Sequence, residues 1–380
     1  MPPTTQTRDY TPGTAADFTP RRVGFVTSTP YDVAGGSGTY VGIRELARGL
    51  DRRGIAVTRY GPQFWCPSYT LKRLIWNVAV AGRLRRESLD WVVGFDLDGF
   101  HYGRAPAAPY VASIKGVIAD ELLNERGWVR MLLAVQAAFE RLAVRRAQVV
   151  VCTSAYSRER IATAYQVPTE KIVIVPELID LASWQAPPIQ IAQDSPPAIL
   201  SVAHLYPRKN LGTLLRAYAI LAAARVPFQA WIVGEGPCRA EWQRLSARLG
   251  LSERVAFLGT VPRAELVDRY RRATLFCLPS RQEGFGIVFL EAMANALPIV
   301  AGRAGAVPET VADGVVGMLV DPNDAEALAR ALTVLLADGD LRQEFGAAGR
   351  VRVERFRADR VVGEFVAAVQ SASAARVQGA

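Results

Sequence analysis

The sequence predicts an α/β protein built from two doubly wound, Rossmann-like domains facing a cleft. Three observations predict it. Strand–helix alternation runs through the chain twice, with a composition break between the two runs at residues 181–197, which are rich in Pro, Gln and Ala. The strands are short, mostly apolar runs, the pattern of parallel strands buried on both faces. The length, 380 residues, exceeds one ordinary core and suits two domains of about 150–200 residues. The expected division is a disordered Pro/Thr-rich leader at 1–20, a first domain at 21–185, a second at 186–358 and a terminal helical segment at 359–380.

In the first domain, strands are expected at 23–27, 55–59, 90–95, 110–115, 147–153 and 171–176. Helical spacing is read at 39–50, 128–146 and 157–165, the last opened by Ser154 as a cap. Between the first strand and its helix lies a glycine-rich loop containing Gly35, Gly36 and Gly38. Strand, glycine loop and helix make a phosphate-binding arrangement, although the same glycines also serve a plain tight turn. The loop has no GK[ST], so it is not a P-loop, and its spacing does not fit GxGxxG. Residues 67–87 read as a basic amphipathic helix, with Leu71, Leu74, Ile75, Val78 and Leu84 apolar and Lys72, Arg73, Arg83, Arg85 and Arg86 basic. Such a face fits an anionic membrane surface, or it is simply solvated. The fourth strand ends at Lys115-Gly116, followed by Asp120 and Glu121. Strand C-terminal ends face the ligand crevice in open α/β sheets.

The second domain restarts the alternation with strands at 198–202, 229–234, 255–259, 274–278, 298–301 and 317–320, and helices at 210–224, 239–249, 263–271, 324–337, 341–356 and 360–373. Its strand ends are loaded with glycine and charge: His204, Arg208 and Lys209 after the first, Gly234 and Gly236 after the second, Gly259 to Val261 after the third. After the fourth comes Glu283-Gly284-Phe285-Gly286-Ile287-Val288, leading into an apolar helix that carries Glu291. A helix start attracts phosphate through its free N–H groups and partial positive charge. A phosphate held there has an acid on either side, with Arg208 and Lys209 on the same rim to clamp a diphosphate.

Half of the residues are apolar and about a fifth charged, a soluble globular balance. No 18-residue apolar run is free of charge; the most apolar long segment, 131–152, is broken by Glu140, Arg141, Arg145 and Arg146. The leader lacks the apolar core of a signal peptide. The net charge of +9 favours an anionic partner, though its near-total reliance on arginine also fits a GC-rich genome. The cysteines Cys66, Cys152, Cys238 and Cys277 are scattered through apolar surroundings, as buried thiols of a reducing compartment are. Two histidines in the whole chain speak against a histidine-built metal site.

At this point the chain resembles the retaining nucleotide-sugar glycosyltransferases of the GT-B fold, family 4. The matching residues are Gly35-Gly36, Pro207-Arg208-Lys209-Asn210, Val233-Gly234-Glu235-Gly236, Phe257-Leu258-Gly259, the E-x7-E formed by Glu283 and Glu291 around Gly284-Phe285-Gly286, and Gly305-Ala306-Val307-Pro308-Glu309 before Asp313-Gly314. The resemblance implies that Lys209 and Arg208 neutralise the leaving diphosphate and that Gly35-Gly36 closes over it. It implies that Glu283 and the amides after Phe285, through Gly286, Ile287 and Val288, hold the donor sugar. Glu291 then accepts from the ribose hydroxyls, Val261 lies near the base, and the terminal helix crosses back to the first domain. Two positions depart from the pattern. His204 stands where the family usually has Arg, and Lys115 stands where a histidine borders sugar and acceptor; Lys115 then pairs with an anionic sugar or acceptor, or with Asp120.

The resulting expectation is a retaining hexosyltransferase that needs no metal or other cofactor. Its donor is a UDP- or GDP-sugar and its acceptor a hydroxyl of an envelope polysaccharide or lipid-linked glycan; a small secondary metabolite is an alternative acceptor. Cytoplasmic location, at the inner face of the membrane, goes with this reading, and nucleic acid does not. A catalytically degenerate nucleotide-sugar-binding protein, and a phosphorylase or epimerase on the same fold, are the competing classes.

Overall fold

The computed structural model describes residues 20–29, 38–184 and 196–377. The expected leader (Pro20 excepted), the Gly35-Gly36 loop and most of the expected linker lie outside the described residues.

The first domain alternates β1 (Arg22–Val26), α1 (Gly38–Arg52), β2 (Ala56–Tyr60), α2 (Tyr69–Leu84), β3 (Trp91–Phe95), β4 (Tyr110–Ile114), the short α3 (Ile118–Glu121), α4 (Gly127–Arg146), β5 (Val149–Cys152), α5 (Ala155–Tyr165) and β6 (Ile172–Ile174). The second runs through β7 (Ala198–Val202), α6 (Leu211–Ala223), β8 (Gln229–Val233), α7 (Arg239–Arg248), β9 (Val255–Gly259), α8 (Arg263–Arg272), β10 (Leu275–Leu278), α9 (Ile287–Ala294), β11 (Ile299–Gly302), α10 (Val307–Thr310) and β12 (Gly317–Val320). It ends with α11 (Ala325–Ala337), α12 (Gly339–Val353) and α13 (Ala358–Val377).

Every strand pairing is parallel, in two six-stranded sheets ordered β2-β1-β3-β4-β5-β6 and β12-β11-β10-β7-β8-β9. The central strands β3, β4, β5, β10 and β11 bury both faces, which explains their apolar composition, whereas the edge strands β2, β6 and β9 are partly exposed. Val111 joins the core beneath α1, whereas its neighbours Tyr110 and Ala112 point into the opposite core. The strand order reverses between β1 and β3 in the first sheet and between β7 and β10 in the second. Crevices for ligands form at such switch points, outside the strands' carboxyl ends.

The chain returns to the first domain at its end. Ile179 and Phe356 meet through the Ile179 amide and the Phe356 carbonyl at 2.9 Å, and α13 lays Val361, Val362, Phe365, Val366 and Val369 into the core that α1 fills with Ile43, Leu46 and Leu50. Among the described residues no helix is long and apolar enough to cross a membrane. Cys152, Cys238 and Cys277 are buried free thiols; Cys66 is only half-buried.

α2 corrects the reading of 67–87. Its basic and apolar residues do not segregate as an amphipathic surface helix requires. Arg73 turns inward, its Nε and Nη2 donating to Asp98 at 2.9 and 3.0 Å, and Asn77 joins it at 2.8 Å. Leu84 belongs to the core, while Leu71, Ile75 and Val78 face outward.

Candidate active site

The switch point of the second sheet brings two loops together that are far apart in sequence. β7 and β10 are hydrogen-bonded neighbours, so the chain leaving β7 through the turn Pro207–Lys209 runs beside the chain leaving β10. The Arg281 amide donates to the Arg208 carbonyl at 2.8 Å and fixes that contact. Lys209 Nζ then lies 2.6 Å from Glu283 Oε1, which also accepts from Ser280 Oγ at 2.7 Å. Burial pushes the Glu283 carboxyl up, but Lys209, Arg208 and the Ser280 hydroxyl outweigh it and hold the carboxylate below its usual range. Burial pulls Lys209 down against the attraction of Glu283. The pair is an ionised lysine–glutamate bridge.

Directly after it, Gly286 takes φ +87°, a left-handed conformation open to glycine, and turns the chain into α9. The first turn of α9 has amides without intrahelical partners, and Gly286, Ile287 and Val288 line the same cavity as Lys209 and Glu283.

Glu291, one turn further along α9, opens onto an adjoining cavity shared with Val202, His204, Gly234, Val261 and Arg263. Its carboxyl accepts from the Tyr270 hydroxyl at 2.8 Å and faces Arg263 at 3.9 Å. Burial pushes it up to about 7, against Arg263 and Tyr270. Arg263 is itself stacked 3.7 Å above the Trp184 ring. Gly234, at φ +129°, brings its backbone so close to β7 that a Cβ would meet the Ala203 carbonyl oxygen at 1.9 Å. His204 lines both cavities, its Nδ1 3.3 Å from the Glu235 carbonyl.

The first domain supplies the opposite wall. Lys115, at the end of β4, pairs with Glu177 at 3.1 Å, and Glu177 is packed against Gly42 of α1. Asp120 is not its partner: buried under α5, Asp120 accepts from the Tyr156 hydroxyl at 2.7 Å and pairs with Arg160 at 2.8 Å, and it lines neither cavity. Its neighbour Glu121 reaches the cleft instead and meets Arg208 of the second domain at 3.3 Å. The cleft thus holds three carboxylates, Glu121, Glu177 and Glu283, each paired with its own cation, Arg208, Lys115 and Lys209. Phe285 borders it, with its ring edge-on to Phe356.

Two cavities side by side, one lined by three ion pairs beside a helix N-terminus and one mostly apolar with a carboxylate at its end, are suited to a nucleoside diphosphate joined to a sugar. Models of known families agree. The model for glycosyl transferases group 1 matches residues 183–352, and that for glycosyltransferase family 4 matches residues 34–183. A GDP-mannose-dependent alpha-(1-6)-phosphatidylinositol monomannoside mannosyltransferase of Mycolicibacterium smegmatis is 32% identical over 331 residues, 81% of this chain and 82% of its own.

The chain belongs to the group 1, family 4 glycosyltransferases.

A second relative of this glycosyltransferase, a D-inositol 3-phosphate glycosyltransferase of Streptomyces scabiei, is 29% identical over 239 residues, 59% of this chain and 54% of its own. Among solved structures, sucrose-phosphate synthase of Thermosynechococcus elongatus superposes with a TM-score of 0.78 at 20% identity, covering 91% of this chain and 97% of that one. That likeness shows the two-domain GT-B fold.

Sequence reading set Glu121 beside Asp120 at the end of the fourth strand without a role of its own, and missed Glu177 and Arg263, which line the glycosyltransferase's cleft, and Tyr270, buried behind Glu291. Only Arg263 carried a signal: it opens the helix that follows the Gly259–Val261 loop.

Proposed function

We propose that this glycosyltransferase moves a mannosyl group from GDP-mannose to a hydroxyl of an envelope glycolipid built on inositol phosphate, with retention at the anomeric carbon. The observation that carries the reading is the Lys209–Glu283 pair beside the N-terminus of α9. An arriving diphosphate draws Lys209 and Arg208 away from their carboxylates, because its two charged groups offer both cations better partners. Glu283, released from Lys209, then accepts hydrogen bonds from the sugar hydroxyls. Glu291 stands one helical turn away to receive the ribose hydroxyls. The relatives' names support GDP-mannose as donor and an inositol phosphate in the acceptor.

In the transfer, the bond from the anomeric carbon to the phosphate oxygen breaks as the acceptor oxygen bonds on the same face. The acceptor proton passes to the departing phosphate, giving GDP. Front-face displacement, assisted by the leaving phosphate, is part of the proposal: Glu283, once released, is occupied by the sugar hydroxyls, and Glu177 stays paired with Lys115. Lys209, Arg208 and the α9 amides carry the leaving-group charge that a divalent metal carries in other transferases. Peripheral contact with an anionic bilayer, at the inner face of the membrane, is part of the proposal, supported by the outward apolar residues of α2.

The test is turnover of GDP-mannose against UDP-glucose with phosphatidylinositol monomannoside as acceptor. GDP release that requires acceptor, an α-linked product by proton NMR, and no effect of EDTA are expected. Glu283→Gln and Lys209→Ala should each lower kcat about 10²–10³-fold while the chain stays folded by circular dichroism. Unchanged turnover in both variants refutes the site, and a β-linked product refutes retention.

A further inference from the structure

Arg263 stands where the two domains and the segment joining them meet. It opens α8 and borders the nucleotide cavity beside Glu291. Its guanidinium stacks on the Trp184 ring and donates from Nη2 to Ser183 Oγ at 3.2 Å, and both residues lie in the connection from β6 to β7. Next to it runs a narrow cavity lined by Arg44 and Glu45 of α1, Asp180 and Trp184 of the connection, and Arg263 and Glu291 of the second domain. Asp180 is taken by Arg52 at 3.5 Å. Arg263 Nη1 is 3.9 Å from Glu291 Oε1, too far for a hydrogen bond.

Glu45 is the acid on the first-domain side of this cavity. Its Oε1 accepts from Arg44 Nε and Arg48 Nη1 at 3.0 Å each. Its Oε2 is buried and has no hydrogen-bond partner among the described residues. Buried acceptors without a donor are destabilising and rare. Arg263 is the reverse case: a guanidinium has five N–H donors, and among the described residues the Ser183 hydroxyl accepts the one hydrogen bond it makes. Burial holds the Arg263 charge below its ordinary range; Glu291 opposes this most, Glu45 also opposes it, and Arg44 adds to it. A cation with spare donors and an acid with a spare acceptor thus face one small cavity from different domains, and Glu291 competes for the cation.

We propose that Glu45 is a positioning residue for the donor: as the ribose hydroxyls take Glu291, Arg263 turns to the open oxygen of Glu45 and ties α1 to α8. The proposal rests on the ribose role of Glu291 given above and adds the first-domain residue that responds to an occupied nucleotide cavity. Glu45 acts through Arg263 and touches no reacting atom.

Calorimetric titration of the full chain tests it, at pH 8, above the range in which Glu291 titrates. The probes are GDP and dideoxy-GDP, which keeps the base and the diphosphate but lacks both ribose hydroxyls. Glu45→Gln should weaken GDP binding about tenfold, the size of a lost charge-assisted hydrogen bond, and leave dideoxy-GDP binding unchanged. In an Arg263→Gln background, adding Glu45→Gln should weaken GDP no further. Dideoxy-GDP binding also shows that each variant is folded. Equal weakening toward both probes marks Glu45 as merely structural and overturns the proposal. Unchanged GDP affinity in Glu45→Gln overturns it too, as do additive losses in the double variant. UDP and its dideoxy form read the same coupling, because the ribose is common to both nucleotides. A parent that binds UDP in place of GDP, with the Glu45 effect intact, sinks GDP-mannose as donor and keeps the role of Glu45. A parent that binds each nucleotide no tighter than its dideoxy form refutes the ribose role of Glu291, and the role of Glu45 falls with it.

Discussion

Ser154 and Gly284 belong to different domains, and the hydroxyl of the first donates to the carbonyl of the second at 2.9 Å. Thr153 and Ser157 bring their hydroxyls to the same carbonyl at 3.0 and 3.2 Å. Glu309, from the second domain, accepts from the amides of Ala155 and Tyr156 at 2.7 Å each, and so caps the first domain's α5. Gly284 follows Glu283 in the chain. The loop that carries Glu283 is thus tied to the first domain.

Closure should depend on that cap. A carboxylate at a helix N-terminus contributes about 1 kcal/mol. Glu309→Ala is expected to enlarge the radius of gyration in small-angle scattering with GDP bound and to lower kcat about fivefold, with nucleotide affinity kept. Identical scattering and kinetics would show that the contact is dispensable.

Glu291 should make nucleotide binding pH-dependent. Burial raises its carboxyl from 4.5 to about 7, so the unliganded folded chain keeps a proton that the unfolded chain releases from about pH 4.5 upward. Stability from this group is therefore full below pH 4.5 and declines as pH rises to about 7, then levels. Nucleotide affinity should run the other way, falling below pH 7 as the carboxylate loses an acceptor oxygen. Calorimetric titration between pH 5.5 and 8 is the check; Glu291→Gln should bind weakly with a flat profile.

Lys115 and Glu177 are 8% and 7% exposed. Removing the lysine leaves a carboxylate without its cation in a poorly solvated place, a change that costs about 3–5 kcal/mol. Lys115→Ala should show it as a lower urea midpoint, and adding Glu177→Gln should restore much of the loss. A midpoint within error of the parent would mean that water reaches Glu177.

The outward side of the first domain should bind bilayers. Trp65 is 84% and Trp128 67% exposed, with Leu71, Ile75, Val78 and Met131 also outside. The acids of α4 and its approach, Glu125 and Glu140, are buried. Cosedimentation with phosphatidylglycerol-containing vesicles is expected, reduced several-fold in Trp65→Ala combined with Ile75→Glu. Equal cosedimentation of parent and variant places the contact elsewhere.

The strands were legible because the central ones are buried on both faces, which leaves short apolar runs and turns full of glycine and charge. Glu283, Lys209 and Gly234 stood out for the same reason, as polar or flexible residues past the carboxyl ends of apolar strands, and Glu291 as an acid within an apolar helix. The first-domain wall was harder to read. Asp120 and Glu121 are adjacent on α3, and successive residues of a helix point about 100° apart; one enters the core beneath α5 and the other crosses to Arg208. Nothing in their spacing distinguishes them. Arg73 reads as a surface cation until Asp98, on another loop, draws it inward.

The sequence by itself therefore determined two parallel sheets, their strand ends and the acid–glycine–helix motif, since these depend on local burial and backbone geometry. The tertiary structure alone decided the partners. Lys115 meets Glu177 across 62 residues and Lys209 meets Glu283 across 74, because strand order, which no local pattern encodes, selects the loops that face each other. It also opened a further cavity at the first sheet's switch point, beside Thr29, Tyr69 and Lys72.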